Sequence, residues 1–285
     1  MKKKYFIFIG LFALIAMVLG YCWSVRPTVS VVMLTYKRAG IVSKAIDSVL
    51  NQTYKDFEFI ILNDGSSDNT DEIINKYKDK RIRYYKNDKN RGISYSRNRV
   101  TKLARGKYIM IMDDDDVCLP RRMEKQVKFL EENPNIDVVA GQIVGLARIP
   151  LKHDEIASSL IQYNNFGNAN VMMRNDFVKK NKIKYDENFK VSEDWDFWVK
   201  MLFNGAKFGA IVDNVLERDG MSVKHYGMGY EDGNAPIRDR IGLFFNSTNK
   251  DAFYNADGCG KLKMIKPKKI LSDEFVDGLI AVNCH

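Results

Sequence analysis

The chain has 285 residues, of which 45% are hydrophobic and 12% aromatic, so it is neither intrinsically disordered nor collagen-like. Its 45 basic and 36 acidic residues give a formal net charge of +9, which suits phosphate-bearing substrates, nucleic acid or lipid headgroups, although lysine-rich surfaces are also common without such partners. The four cysteines lack the CxxC spacing of a zinc site, and Cys259 and Cys284 can pair only if they face an oxidising compartment.

Residues 1–25 are predicted to form an N-terminal membrane segment. Lys2, Lys3 and Lys4 precede an apolar stretch of about 19 residues, which as a helix is just long enough to cross a bilayer. A signal peptide cleaved after Gly20 is one interpretation. The length of the stretch and its aromatic end favour a retained single-pass anchor, with the three lysines on the cytoplasmic side.

Short apolar runs alternate with amphipathic stretches from residue 28 to residue 141. Strands are predicted at 28–36, 57–64, 81–85, 107–112 and 136–141. Helices are predicted at 40–52, 66–79, 93–104 and 121–133. This order is typical of an α/β fold with a Rossmann-like, mostly parallel central sheet flanked by helices.

The alternation weakens after residue 142. We predict a strand followed by a short helix within 167–181, a helix over 193–205 that stops at Gly205, and a strand over 207–215. Beyond residue 218 the chain is rich in glycine and asparagine and shows no strong periodicity. Its basic run 261–270 either touches anionic lipid or is simply solvated.

Polar residues follow three of the predicted strands. Thr35 and Tyr36 end the first strand, residues 63–65 (Asn-Asp-Gly) end the second, and residues 113–116 place four aspartates after the fourth. Because ligands of such sheets bind at the carboxyl ends of the strands, we expect these residues to converge on one rim.

The four adjacent aspartates repel one another, so they need either a compensating cation or exposure to water where the chain leaves the sheet. They suit a hard divalent cation whose coordination shell is completed by a substrate diphosphate. A solvated acidic turn is the simpler alternative, which the buried strand before it disfavours. An EF-hand is disfavoured because the required glycine and distal glutamate are absent.

Five motifs resemble one known family in order and spacing. They are VSVVMLTYKR, SVLNQTYKDFEFIILNDGSSDNT, NRGISYSRN, GKYIMIMDDDDVCLP and EDWDFW. Together they resemble glycosyltransferase family 2, whose members are inverting nucleotide-sugar transferases with the GT-A fold. The resemblance implies a GT-A domain over 28–217, with a nucleotide-sugar half (28–141) and an acceptor half (142–217), followed by a C-terminal extension (218–285).

The resemblance also implies roles for residues of the first strands. Thr35, Tyr36 and Arg38 are expected to contact the nucleotide base and ribose, and Asp64 to accept a hydrogen bond from the base. Arg97 is expected to face the diphosphate or the base, although a salt bridge on a helix surface is the alternative. The family usually has asparagine where this chain has Lys37.

The two acidic motifs are expected to carry the chemistry. The resemblance implies that Asp113 approaches the ribose and that Asp115 binds Mn²⁺ or Mg²⁺. Asp114 falls in the variable slot beside the donor, but the additional aspartate leaves Asp114 open as the metal ligand. Asp194 is the implied general base, with Glu193 as its substitute, unless these acids merely cap a helix.

These residues predict an inverting transferase that moves a hexosyl or N-acetylhexosaminyl group. The donor is expected to be a nucleoside-diphosphate sugar of the UDP type, and the acceptor a hydroxyl of a glycan or lipid-linked molecule. The rival predictions are a non-catalytic sugar-nucleotide or glycan-binding protein and a nucleotidyltransferase, whose glycine-rich first loop is replaced here by TYKRAG. We expect a membrane association and no nucleic-acid partner. The side of the membrane that carries the catalytic domain stays open.

Overall fold

The computed structural model describes residues 26–164, 166–189, 191–218, 235–245, 252, 256 and 258–277. The predicted membrane segment 1–25 and the cysteine Cys284 lie outside these residues. Within the described part of the chain, no helix has both the length and the apolar character needed to cross a membrane.

Eight strands form one sheet. They are β1 (Val29–Thr35), β2 (Phe57–Asn63), β3 (Ile82–Lys86), β4 (Tyr108–Asp113), β5 (Asp116–Cys118), β6 (Val138–Ile143), β7 (Val171–Arg174) and β8 (Phe208–Arg218). Their order in the sheet is β3-β2-β1-β4-β7-β6-β8-β5. The strands predicted from the apolar runs are all present, so the α/β character of the chain is confirmed.

Nine helices of at least six residues connect or flank these strands. They are α1 (Val42–Leu50), α2 (Thr70–Asn75), α3 (Ile93–Leu103), α4 (Arg122–Glu132), α5 (His153–Gln162), α6 (Asn175–Lys180), α7 (Glu193–Phe203), α8 (Ala235–Phe245) and α9 (Gly258–Ile265), as counted over the described residues. A 3₁₀ turn (Lys266–Lys268) and a short helix at 273–277 follow. Gly205 has a φ of +87°, as expected of the residue that stops α7.

The sheet is mixed rather than parallel throughout. β1 pairs in parallel with β2 and β4, and β2 pairs in parallel with β3. β7 is inserted antiparallel between β4 and β6, and β5 turns back to pair antiparallel with β8. The short β5 starts only two residues after β4 ends, and this tight reversal was not expected from the sequence.

Alternate residues of each strand face two hydrophobic cores. Val32, Ile60 and Ile111 pack under α3, α5 and α7. Val31 and Met110 face the opposite layer, which contains α1 and α4. The aromatic residues Trp195, Phe197 and Trp198 of α7 lie in the first core with at most 3% exposure, as expected for core residues, and the indole N–H of Trp195 donates to the carbonyl of Leu160 at 2.8 Å.

The chain beyond residue 218 contributes to the same core. Ile237 and Ile241 of α8, Ile265 of α9 and Val276 are buried in it, although the sequence showed no helical periodicity there. In the basic run 261–270, Ile265 and Ile270 are buried while Lys263, Lys268 and Lys269 are exposed. The described part of the C-terminal extension is therefore packed onto the α/β domain.

A buried carboxylate joins three strands at the amino-terminal edge of the sheet. Glu58 is 4% exposed and accepts hydrogen bonds from Ser30 Oγ (2.6 Å), Arg83 Nη1 (2.5 Å) and the backbone N–H of Arg105 (2.8 Å). Burial opposes its ionisation, but these hydrogen bonds outweigh burial and hold the pKa of Glu58 below its ordinary value. This network stabilises the amino-terminal edge of the sheet, which is opposite to the edge where the predicted site residues lie.

We predict that Glu58→Gln lowers the free energy of unfolding by about 1–3 kcal/mol, because two arginines lose a buried anionic partner. The folded-state pKa of Glu58 lies below the unfolded value of about 4.3, so its contribution is complete above that pH and disappears as the pH falls through the folded-state pKa. Urea unfolding between about pH 5 and pH 3 should therefore show a shallower decline for E58Q than for the wild type. The exposed Glu132→Gln serves as the control, and equal slopes would contradict the prediction.

The turn after β1 contains a strained residue. Lys37 has a φ of +55°, and its backbone N–H donates to Ser66 Oγ at 2.9 Å. The left-handed region is unfavourable for lysine and well tolerated by asparagine, whose short side chain can hydrogen-bond locally. Lysine is therefore energetically unfavourable at this position.

We expect Lys37→Asn to raise the free energy of unfolding by about 0.5–1 kcal/mol. This value already allows for the stabilisation that is lost when Lys37 no longer contacts the Tyr36 ring. Thermal unfolding of K37N beside the exposed loop variant K89N, in which no left-handed residue is replaced, measures the effect. A stability equal to or below that of the wild type would show that the strain is offset by contacts of the lysine side chain.

Candidate active site

Three strand ends meet at one edge of the sheet. In the register of the parallel strands, Thr35 lies opposite Asn63, and Leu34 lies opposite Asp113. The backbone N–H of Asp64 continues the ladder by donating to Thr35 O at 2.9 Å. The convergence expected from the sequence is present, and it places the polar segments after β1, β2 and β4 side by side.

The four aspartates occupy different environments. Asp113 ends β4 and Asp116 begins β5 opposite Arg218, so only Asp114 and Asp115 form the turn between them. Asp114 and Asp116 are 7% and 3% exposed. The side chain of Asp113 is 39% exposed, and that of Asp115 is 16% exposed. Asp113 and Asp115 are therefore the two acids of this acidic turn (residues 113–116) that are most accessible to a ligand.

Negative charge is crowded at the acidic turn. Burial raises the pKa of Asp114 to about 7, and the charges of Asp115 and Asp113 add to this effect against the opposing influence of Arg38. Burial, Asp113 and Asp115 likewise raise the pKa of Asp116 to about 7. The pKa of Asp113 is also raised, first by burial. Burial and the neighbouring carboxylates therefore both oppose full ionisation of the turn, and a bound cation would favour it.

Arg38 is a partly exposed cation that faces this turn. Its Nε lies 3.7 Å from Asp114 Oδ1, and its Nη2 lies 3.6 Å from Asp115 Oδ2. Its backbone N–H donates to Thr70 Oγ1 at 3.0 Å, which ties the segment after β1 to the start of α2. Since the Arg38 side chain is 38% exposed, it can contact an anionic ligand while it stays near the carboxylates.

Asp64 shapes a neighbouring loop. Its Oδ1 accepts hydrogen bonds from Asn87 Nδ2 (2.6 Å) and the backbone N–H of Arg91 (2.9 Å), and its Oδ2 accepts one from the N–H of Gly92 (3.0 Å). A carboxylate has about four acceptor sites, so three donors leave capacity for a further N–H. Its predicted contact with a base is compatible with this structural role.

Arg97 is an internal counter-ion. It is 8% exposed, and its Nη1 forms a close ion pair with Glu193 Oε1, while Nη2 lies 3.7 Å from Asp113 Oδ1. Burial alone would lower the pKa of Arg97, but Glu193, Asp113 and Asp194 hold it above its ordinary value. Because the guanidinium is buried between the acidic turn and α7, Arg97 does not lie on a helix surface, which was the alternative prediction.

The start of α7 presents two acids in unequal settings. Glu193 is 7% exposed and is engaged by Arg97; burial raises its pKa and Arg97 opposes the rise. Asp194 is more exposed, and its Oδ1 accepts the backbone N–H of Trp195 at 2.8 Å. Ser192, just before them, has a φ of +58°. Strained backbone that precedes functional acids is common at active sites.

Sequence reasoning missed two arginines near the acidic turn. Arg122 is 1% exposed, and its Nη2 donates to the carbonyls of Ile111 (2.9 Å) and Val171 (3.2 Å), where β4 and β7 diverge. A charged residue on the buried face of α4, directly after the aspartates, was the available signal. Arg218 was not predictable, because it comes near Asp116 only through the pairing of β8 with β5.

The donor set at the acidic turn fits a hard divalent cation. Over the described ranges no three or more His, Cys, Asp or Glu side chains are arranged as a closed protein cage for a metal. Mg²⁺ is commonly held by one or two carboxylates, with substrate phosphates and water completing the shell. The accessible carboxylates of Asp113 and Asp115 match that open arrangement.

Comparison with known proteins agrees with this geometry. The family model described as glycosyl transferase family 2 matches residues 30–186. An uncharacterised glycosyltransferase of Methanocaldococcus jannaschii is 37% identical over 206 residues, which cover 67% of this chain and 70% of that protein. The UDP-Glc:alpha-D-GlcNAc-diphosphoundecaprenol beta-1,3-glucosyltransferase WfaP of Escherichia coli is 30% identical, covering 63% of this chain and 72% of that one.

A solved structure supports the same fold. The S. aureus TarS fragment 1–349 in complex with UDP-GlcNAc superposes with a TM-score of 0.64 at 20% sequence identity, covering 88% of this chain and 83% of that chain. From the family match over more than half of the chain, together with the mixed sheet and its acidic rim, we conclude that the protein belongs to glycosyltransferase family 2 and has a GT-A-like fold.

Proposed function

We propose that the protein is an inverting glycosyltransferase that moves a hexosyl or N-acetylhexosaminyl group from a UDP-linked donor to a hydroxyl of a glycan or lipid-linked acceptor. The observation that carries the proposal is the single rim on which the acidic turn, Arg38 and the acids of α7 meet, with Arg97 between them. A metal-assisted donor site and a general base need this proximity.

The choice of donor rests on the relatives. WfaP is named as using UDP-Glc, and the TarS fragment was solved with UDP-GlcNAc. On this chain, Thr35, Tyr36 and Asp64 are proposed to hold the nucleoside, with Asp113 near the ribose. Arg38 is proposed to approach the diphosphate from the exposed side of the acidic turn.

Asp115 is proposed to hold Mn²⁺ or Mg²⁺, with Asp114 as the alternative ligand. A divalent cation bound there would neutralise charge that develops on the leaving diphosphate. The protein's own contribution is to keep the carboxylates accessible in a tight turn. The nearest cation, Arg38, stands 3.6 Å from Asp115 and leaves that carboxylate only partly compensated.

Asp194 is proposed to be the general base. The acceptor oxygen attacks the anomeric carbon, the bond from that carbon to the phosphate oxygen breaks, and the hydroxyl proton moves to the Asp194 carboxylate. Attack from the face opposite to the leaving group inverts the anomeric configuration. Glu193 is less suited to this role because it is buried and its carboxylate is already paired with Arg97.

We also propose a general class of acceptor and a membrane location for the enzyme. WfaP is named for an acceptor linked to diphosphoundecaprenol, and a lipid-linked acceptor would fit an enzyme anchored by residues 1–25. Residues 142–217, which include α7, are proposed to form the acceptor half, and residues 28–141 the nucleotide-sugar half. Protease protection of intact cells can test whether the anchor is retained and on which side of the membrane the catalytic domain lies.

We predict that Asp194→Asn lowers the rate of acceptor-dependent UDP release by about 10²–10⁴-fold, because asparagine keeps the shape of the side chain and cannot take the proton. The assay uses the full chain in detergent with UDP-sugar, Mn²⁺ and acceptor. UDP affinity, measured by calorimetry, should stay within about twofold of the wild type, since Asp194 does not contact the nucleotide in this proposal.

Glu193→Gln is the matched variant. It removes a partner of Arg97, so it should lower stability and reduce turnover less than D194N does. If D194N still turned over at the wild-type rate and E193Q did not, Glu193 would be the base. A nucleotidyltransferase would transfer the uridylyl group of the UDP-sugar and release sugar 1-phosphate instead of UDP. A sugar-nucleotide-binding protein would bind the donor without releasing UDP.

We expect Asp115→Asn to abolish uptake of Mn²⁺ in the presence of UDP, while Asp114→Asn retains it, because the Asp115 carboxylate is the more accessible of the two. The electron paramagnetic resonance signal of free Mn²⁺ reports the bound fraction. Asp88→Asn, in the loop after β3, is the control. Loss of uptake in D114N alone would show that Asp114 and not Asp115 is the metal ligand. A wild type that takes up no metal would refute metal-assisted transfer.

A further inference from the structure

Helix α8, in the extension after residue 218, packs along α7, the helix that begins with Glu193 and Asp194. Ile237 and Ile241 are fully buried in the shared core. The Phe244 ring stacks on that of Phe203, with the centroids 3.7 Å apart and the planes 6° from parallel. These apolar contacts hold α8 against the far end of α7, remote from the acids.

A polar contact links the two helices at the near end. Arg240 Nε lies 2.7 Å from Asp196 Oδ1, and Arg240 Nη2 donates to Asp186 Oδ2 at 3.2 Å. The Asp196 side chain is completely buried, and its other oxygen lies 2.7 Å from Lys200 Nζ in the next turn of the same helix. One arginine of α8 thus joins α7 to the loop that carries Asp186.

Both partners of Arg240 adjoin the candidate active site. Asp196 lies in the first turn of α7 with Glu193 and Asp194. Asp186 follows Tyr185, whose ring stacks on Phe197 of α7 at 4.2 Å and lies 5.4 Å from the Arg97 guanidinium carbon. The two segments that Arg240 joins therefore enclose the Arg97–Glu193 ion pair from two sides.

We infer that Arg240 is a positioning residue for the proposed transfer reaction. By binding Asp196 and Asp186 together, it holds the first turn of α7 at a set distance from the loop at Tyr185, and so holds Asp194 toward the acceptor. Without Arg240, the buried Asp196 keeps Lys200 of its own helix but loses its only ion-pair partner from another element among the described residues. A buried carboxylate that loses one of two cations is destabilised, and the link from α7 to the loop at Asp186 is lost. The first turn can then shift or fray.

This inference assigns a role to the extension after residue 218 and rests on the proposed function for the part that concerns turnover. Lys200 provides a matched comparison, because it contacts the same Asp196 carboxylate but lies on α7 itself. Phe244 provides a second comparison, because it contributes to the packing of α8 without contacting either acid.

The test compares Arg240→Met, Arg240→Lys, Lys200→Met and Phe244→Leu in the full chain. We expect R240M to lower kcat by about 10- to 100-fold, with the KM for the UDP-sugar unchanged within about twofold, because a small displacement of the base impairs only the chemical step. R240K, which keeps the charge, should recover part of the loss. K200M and F244L should change kcat by less than about threefold, although F244L lowers the melting temperature.

Hydrogen exchange of the peptide that contains residues 193–198 gives a readout independent of activity. Exchange there should be about tenfold faster in R240M than in the wild type and nearly unchanged in K200M. Wild-type exchange in R240M, or an equal loss of kcat in R240M and F244L, would overturn the inference. If the wild type releases no UDP with any donor, the proposed function fails, and the exchange data still decide whether Arg240 holds the first turn of α7.

Discussion

The concentration of carboxylates at the carboxyl ends of the strands is the constraint on which the rest of this structure depends. Burial is the main cause of the raised pKa values of Asp114 and Asp116, and the charges of the neighbouring aspartates raise them further. A protein retains such a cluster when a bound cation relieves it. The surrounding arginines relieve it only in part, and the remaining charge makes the rim suitable for a metal and a diphosphate.

The arginines around the rim differ in what they can do. Arg38 is partly exposed and can exchange its contact with Asp115 for a contact with a ligand. Arg97 is buried between Glu193 and Asp113, so its charge is fixed and links the acidic turn to α7. Arg122 lies beneath the turn and binds backbone carbonyls where two strands separate. Exposure therefore separates the cation that can bind a substrate from those that maintain the site.

The second half of the chain adds a second pair of acids to this rim. α7 brings Asp194 to the acidic edge, and its aromatic residues anchor it in the core. The described residues after 218 pack against α7 and contribute Arg240 to its first turn. The C-terminal extension thus supports the helix that carries the proposed base, which explains why it shares a core with the α/β domain.

Between residues 28 and 141 the sequence alone determined the strands and helices other than β5, because their apolar periodicity is local and strong. It also determined that Thr35, Asp64 and Asp113 would meet, since parallel strands must end at the same edge. Only the tertiary structure decided which acids of the turn are accessible, that Arg97 pairs with Glu193, 96 residues away, and that α8 reaches Asp196. These contacts join residues distant in sequence, and the pairing of charges depends on how layers pack, a property that no local pattern encodes.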